Sequence, residues 1–211
     1  MKIIVLSLAL LGLSGCSVFG DSKVEIAPYK VISSAQDSKI EIRNYERMVL
    51  VSTPMTGDER NGSFRRLFNY ISGENKALEK IAMTAPVFMD GEDQEGVKIP
   101  MTAPVFMDGD DNEVRMMSFV MPESFTLETT PAPTNTDVKV QEIKDYKVGA
   151  IIFNGRLSES NIKKHRALLE QWIADADYVV TGPVKTAGYN APFTLPAMRR
   201  NEVLIPVKKA N

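Results

Sequence analysis

Hydrophobic positions recur along this chain in two periods, and the switches between them predict its elements. Tyr29–Ser34 and Lys39–Thr53 alternate with period two, as half-buried strands do. Ile40, Ile42, Val49 and Val51 mark the second run, with a turn expected near Asn44-Tyr45. Residues 58–72 change to helical spacing: Phe64, Leu67, Phe68 and Ile71 share one face, and Gly73 follows as a stop. Strand-like alternation returns in two near-identical segments, IAMTAPVFMDG at 81–91 and IPMTAPVFMDG at 99–109, which match at ten of eleven positions with a period of 18. Each ends in Asp-Gly, a tight-turn signal. The pattern predicts a strand, a turn at 90–96, a second strand, a turn at 108–112 and a third strand over Val114–Met121. Pro86 and Pro104 cannot donate a ladder hydrogen bond, so each is expected at an edge or bulge.

After a break at PAPTNT (131–136), Val138–Ile143 and Tyr146–Phe153 read as strands and Ser158–Asp177 as a helix with Ser158 and Asn161 at its cap. Val184–Tyr189 and Glu202–Val207 close the chain as strands. Ile40–Val51 precedes the first helix much as Val138–Ile152 precedes the second. The expected fold is therefore α+β: a distorted antiparallel β-barrel or sheet flanked by two long helices, built from two related β-α-β-β halves.

Composition narrows the function. Twenty-five basic and 27 acidic residues nearly cancel, so no cationic surface is set up for nucleic acid. One His and one Cys cannot build a His/Cys zinc cluster or an intrachain disulfide. Phosphate loops, nucleophile elbows and metal-spacing motifs are missing from the sequence, which argues against an enzyme.

The single Cys has a positional reading. Lys2 precedes an apolar run over residues 3–13, too short to span a bilayer and suited to a signal peptide. It runs into Leu13-Ser14-Gly15-Cys16, which resembles the lipobox of bacterial lipoproteins. That resemblance implies cleavage before Cys16, acylation of its thiol and new amino group, and anchoring of the mature protein in a membrane. Ser17 in place of Asp favours, by the same resemblance, the outer membrane facing the periplasm. Residues 1–15 are then a signal peptide, 16–28 a lipidated tether and 29–208 the folded domain.

IEIRNYERMVLVST (40–53), FNYISGEN (68–75), KIAMTAPV (80–87), MSFVMP (117–122) and TAGYNAPFTLPAMRRNEV (186–203) together resemble the SOUL haem-binding protein family. The resemblance implies a distorted antiparallel barrel of duplicated halves with two long helices. It also implies haem or another tetrapyrrole held in a shallow hydrophobic cleft, without turnover. By family analogy the apolar contacts are Phe64, Leu67 and Phe68. Arg199 and Arg200 could reach the propionates or form a structural link to Glu202; Arg65 and Arg66 carry the same two readings. Some animal relatives have a proposed His ligand where this chain has Asn44, so haem is expected without a His axial ligand. His165 is the remaining candidate. It stands among Ile162, Leu169, Trp172 and Ala176 on the second helix and is expected to be packed in a closed seam against the sheet, hydrogen-bonded to a carbonyl. Lys163, Lys164, Glu170 and Gln171 read as its solvated face. The competing function is a structural or protein-interaction lipoprotein that keeps the fold without haem.

Overall fold

The computed structural model describes residues 24–36, 39–55, 60–76, 96–108, 115–191 and 193–210. Its strands and helices run β1 (Glu25–Ile26), β2 (Lys30–Ser34), β3 (Ile40–Pro54), α1 (Arg60–Ser72), β4 (Asn75–Lys76), β5 (Thr102–Ala103), β6 (Val105–Asp108), β7 (Met116–Val120), β8 (Ala132–Pro133), β9 (Lys139–Phe153), α2 (Glu159–Asp175), β10 (Tyr178–Val180), β11 (Lys185–Gly188) and β12 (Asn201–Lys209). Antiparallel pairing runs from β3 through β7, β6, β11, β12 and β9 and returns to β3, which closes a six-stranded barrel. β2 extends the sheet from β3 and β10 from β12.

The two halves are related by a constant offset. Ile40 to Lys139, Pro54 to Phe153 and Arg60 to Glu159, the bounds of β3, β9 and the helix starts, are each 99 residues apart. β3 and β9 pair antiparallel from Ile40↔Ile151 to Ser52↔Lys139, and the ladder skips one position, Glu46 opposite Asp145. Those two residues are also 99 apart, so the approximate two-fold axis of the duplication passes between them.

The same point explains an error of expectation. Neither the turn at Asn44-Tyr45 nor the division at 143–146 exists: β3 and β9 are each continuous over 15 residues. Instead the alternation changes phase. Tyr45 and Met48 both join the cluster that contains no helix residue and fills the barrel, although an odd number of positions separates them. In β9, Ile143 packs against that cluster and Val148 and Ala150 belong to it. Asp145, with φ 48°, occupies the left-handed region at the change of phase. Outward positions therefore serve different helices at the two strand ends. Val49 and Val51 pack with Leu67, Tyr70 and Ile71 of α1; Ile42, Ile151 and Phe153 pack with Leu169 and Ile173 of α2.

Both helices end and begin as their sequences require. Gly73, with φ 123°, stops α1. Ser158 caps α2 by accepting from the Asn161 amide. α2 approaches β9 at Gly149, where a Cβ would stand 2.7 Å from Ile173 Cδ1, so the small residue sets the spacing of helix and strand.

The second repeat supplies β5 and β6, broken at Pro104 as expected of a residue that cannot donate. Val105 and Met107 pack under α1 while Phe106 points into the barrel. Thr102 donates through its hydroxyl to the Val120 carbonyl, and Lys185 pairs with Asp108. The strand expected over the first repeat and the turns expected at 90–96 and 108–112 fall largely outside the described residues.

Candidate functional site

The residues singled out from sequence fall into two separate places. On α1, Phe64 and Phe68 stack at 6.1 Å, and Phe64 meets Phe119 edge-on at 5.3 Å. Phe68 is 47% exposed, but Leu67 is fully buried between the helix and the sheet and presents no surface to a ligand. Arg66 is structural: it donates to Thr53 Oγ1 at 3.0 Å and the Pro54 carbonyl at 2.6 Å, tying the β3–α1 connection together. Arg65 lies exposed.

Arg199 and Arg200 are not beside this face. They precede β12, which pairs with β9, β10 and β11, whereas α1 packs on β3 and β7. Arg199 donates to the Thr194 carbonyl at 2.8 Å. Arg200 is committed to Glu202 Oε1, at 2.6 and 3.0 Å, and lies over the Tyr189 ring. Of the two readings left open for Arg200, the link to Glu202 is the one formed.

That link belongs to a network at one end of the barrel interior. Glu202 and Arg43 are both 0% exposed. Glu202 Oε2 accepts from Arg43 Nη1 at 2.8 Å and from the Tyr189 hydroxyl at 2.9 Å. Arg43 also donates to Glu41 at 2.7 Å and lies over the Tyr29 ring. Burial alone would lower the Arg43 pKa; the charge and hydrogen bond of Glu202 more than offset this and raise it. Every charge is paired, so the network reads as a structural lock on the barrel. Asn44, in the position of the proposed animal His, pairs with Lys147 in the ladder and its buried Oδ1 has no hydrogen-bond partner.

A cleft of about 770 Å³ opens elsewhere, between α2 and the strand segments Lys39–Ile40 and Ile151–Asn154. Its size lies within the range of about 300–1,000 Å³ typical of small-molecule sites. From α2 it is lined along a stripe at positions 161, 165, 168, 172 and 175, spaced 4, 3, 4, 3, and at the adjoining positions 164 and 171. The buried line of the helix is the neighbouring one through Leu169 and Ile173, which Gly149 admits. His165 is therefore half-buried on the flank of the helix and borders an open cleft. This corrects the expectation of a closed seam. The expected carbonyl bond is present: His165 Nδ1 lies 2.7 Å from Asn161 O. The ring stacks on Phe153 at 4.1 Å, nearly parallel.

Ile40, Ile151, Leu168 (51% exposed) and Trp172 form the apolar part of the remaining walls, and Asn154, Gln171 and Asp175 the polar part. Lys39 and Lys164 also line the cleft, and Lys164 is thus not merely part of a solvated face. Sequence reasoning missed Lys39, Phe153 and Leu168. The available signal was the second helical stripe, one column from the buried line, which mixes apolar and polar residues. Among the described residues, no group of three His, Cys, Asp or Glu could hold a bare metal ion.

The donor set fits a haem. Ile40, Ile151, Phe153, Leu168 and Trp172 would hold its apolar body, and Lys39 and Lys164 would meet its carboxylates. Asn161 O can only accept, so the Nδ1 of His165 carries the proton, and in the neutral ring Nε2 carries the lone pair.

Comparison with known proteins agrees with this architecture. The profile of the SOUL heme-binding protein matches residues 24–92 and again 88–206, each match containing one copy of the repeated eleven-residue segment. Curated protein sequences gave no match. Among solved structures, a hydrolase from Listeria innocua is similar with TM-score 0.53 and 14% identity, over 84% of this chain and 94% of its own. An uncharacterized conserved protein from Listeria innocua has the same score and identity over 81% and 92%. The EcmrR–DNA complex is similar with TM-score 0.51 and 14% identity over 81% of this chain, which spans 57% of the length of that protein. At such identity the likeness is one of fold alone.

Proposed function

Because the chain belongs to the SOUL heme-binding protein family, we propose that it binds haem or a related tetrapyrrole in the α2 cleft and holds or carries it without turnover. The observation that supports this reading is the cleft itself, about 770 Å³ lined by Ile, Leu, Phe and Trp side chains together with two lysines, an imidazole and the polar Asn154, Asn161, Gln171 and Asp175. The proposal moves the site from Phe64, Leu67 and Phe68 to the other helix. It gives Arg199 and Arg200 no propionate contact, since Arg200 is held by Glu202. Burial of the macrocycle supplies the affinity, at about 25 cal/mol per Å² of apolar surface removed from water.

Titration of the full-length chain with hemin, followed by Soret absorbance and Trp172 quenching, tests the binding. Leu168→Asp places a charge in the cleft at an exposed position and is expected to weaken binding at least tenfold, roughly 1.4 kcal/mol or more. Phe68→Asp, an equally exposed position on α1, is expected to leave it unchanged. The reverse pattern would return the site to α1. A titration with no saturable binding would favour the protein-interaction lipoprotein instead, the reading that Asn44 in place of the proposed animal His supports.

We further propose that the protein is a lipoprotein of the bacterial envelope, at the outer membrane and facing the periplasm, anchored through Cys16. That residue lies outside those the structure describes, and the reading rests on the Leu13–Cys16 motif. Cys16 is the only thiol of the chain, so Cys16→Ala is expected to abolish incorporation of radioactive fatty acid. Label retained by that variant would refute the anchor.

A further inference from the structure

We infer that the loop between β11 and β12 docks the domain on the lipid surface that holds its anchor, through Phe193, Leu195 and Met198; this rests on the lipoprotein reading of Cys16. The three side chains are 64%, 49% and 44% exposed. They stand within one six-residue stretch, and none joins a described hydrophobic cluster. Single apolar side chains are ordinary on a surface, whereas several gathered on one loop mark a contact surface. The backbone that carries them is fixed from both sides. The Thr194 amide donates to the Ala191 carbonyl at 3.0 Å, and the Thr194 carbonyl accepts from Arg199 Nε at 2.8 Å. The Pro196 carbonyl accepts from the Gly155 amide at 2.8 Å, and the Arg199 carbonyl from Asn154 Nδ2 at 3.0 Å. The loop thus displays its apolar side chains on an ordered frame, and docking costs little further ordering.

The position of the tether commits this patch to lipid. Val105, Gly188, Asn201 and Phe153, terminal residues of β6, β11, β12 and β9, form one register row at an end of the barrel. Beyond that row Gly188 and Asn201 lead into the loop, and Ala103, two residues before Val105, pairs with Ile26 of β1. Tyr29 links the two: its hydroxyl accepts from Arg200 Nη2 at 3.3 Å. The first described residues and the loop therefore meet at the same end. Cys16 precedes Val24 by eight residues, a reach of at most about 29 Å. Acyl chains on Cys16 would hold this end within that distance of the bilayer, where a modest apolar contact suffices because the tether makes it intramolecular. The acyl chains supply the affinity and the loop sets the orientation. Arg156 follows Gly155 and is exposed beside the loop, which suits a rim of anionic headgroups.

Thiol labelling measures the contact. Cys16 is the only cysteine of the chain, so once it is acylated a cysteine introduced elsewhere is the sole target of a fluorescent maleimide. The full-length chain, matured in a bacterial host, is labelled at Phe193→Cys or at Phe68→Cys and reconstituted in vesicles of phosphatidylethanolamine and phosphatidylglycerol. Phe68 is the control: it is 47% exposed on α1, which follows the far end of β3. Nitroxide-bearing lipid is expected to quench the 193 probe by about half or more and the 68 probe little, because interfacial segments sink about 5–10 Å into the headgroup region. Leu195→Asp combined with Met198→Asp, both at exposed positions, should bring quenching at 193 down to the control level while the protein still floats with the vesicles and melts as before. In vesicle-bound protein, a 193 probe quenched no more than the 68 probe would overturn the docking and leave the anchor standing. A probe shift at 193 that grows with protein concentration in the absence of lipid would give the patch to a second copy and overturn the docking equally. Dye taken up by the wild-type chain would show a free Cys16 thiol and overturn the anchor, and the docking with it.

Discussion

Glu202→Gln tests whether the buried network at the barrel end holds the fold together. The substitution keeps the shape and removes the charge. Glu202 is 0% exposed and accepts from Arg43, Tyr189 and Arg200 at 2.6–3.0 Å. Arg43, equally buried, would keep only Glu41, whose side chain is 14% exposed, as a counter-charge. Breaking a buried pair from one side costs about 3–5 kcal/mol because a charge stays buried without its partner. Glu41 remains 2.7 Å from Arg43, which argues for the low end, about 3 kcal/mol. For a domain of this size that corresponds to a fall in Tm of about 6–12 °C. Urea unfolding followed by Trp172 fluorescence measures it. A cycle with Arg43→Met should recover part of the loss, because the double variant buries no unmatched arginine at that position. A Glu202→Gln protein within about 1 kcal/mol of wild type, with no coupling to Arg43→Met, would refute the lock.

Burial drives the other pH-sensitive element. It pushes the Tyr45 hydroxyl up to about 12, with the Glu202 charge adding and Arg43 opposing, and it raises Tyr70, Tyr146 and Tyr189 as well. A pKa raised on folding gives stability that is complete below the unfolded value near 10 and is lost as pH climbs through the folded one. Tyr45 alone contributes about 3 kcal/mol of this kind. Stability should therefore fall between pH 10 and 12, and absorbance at 295 nm should show these tyrosines ionising only as the protein unfolds; early ionisation of all of them in folded protein would contradict this. Deletion of residues 83–100 leaves one IAMTAPVFMDG, in which Ile81 takes the place of Ile99 and every β5–β6 residue is retained. Because 18 is even, strand faces are preserved. A soluble protein with a cooperative melt is expected, weakened by about 1–3 kcal/mol through loss of the Asn75–Val97 hydrogen bonds, and an insoluble product would show that both copies are integral.

How much of this was legible in the sequence depended on the range of the interaction. The helices, their stops and the second MTAPV strand follow from local pattern and turn chemistry, and the echo of the two halves foretold the duplication. The course of β3 did not, because a break in alternation has two causes. A turn reverses the chain; a change of phase merely turns the side chains over. Only the partner strand, with Asp145 opposite Glu46, selects the second. Arg43, Tyr45 and Glu202 were equally opaque: a charged residue in a strand reads as surface until the barrel closes around it. The position of His165 turned on a few tens of degrees of helix rotation, and those are fixed by Gly149 on a strand remote in sequence from α2.

The duplication also sets the proposed α2 site in comparison with the equivalent face of α1, as far as the described residues show it. β3 and β9 are exchanged by the two-fold axis, so α1 and α2 rest on equivalent surfaces. Under α1 the space is filled: Leu67, Tyr70 and Ile71 meet Met117, Phe119 and the second repeat at Ile99, and Phe64 closes over Phe119. Under α2, Gly149 draws the helix down along one line only, Leu169 and Ile173, and the flank carrying His165, Leu168 and Trp172 stays lifted from the ends of β3 and β9. Among the described residues, the repeated scaffold packs one copy fully and the other along one edge. Filling that edge is the converse experiment. Leu168→Trp extends the flank over the cleft at an exposed position and should weaken hemin binding by about tenfold while leaving the melt within about 0.5 kcal/mol of wild type. Unaltered hemin affinity in that variant would mean that the lifted edge of α2 is not where the ligand sits.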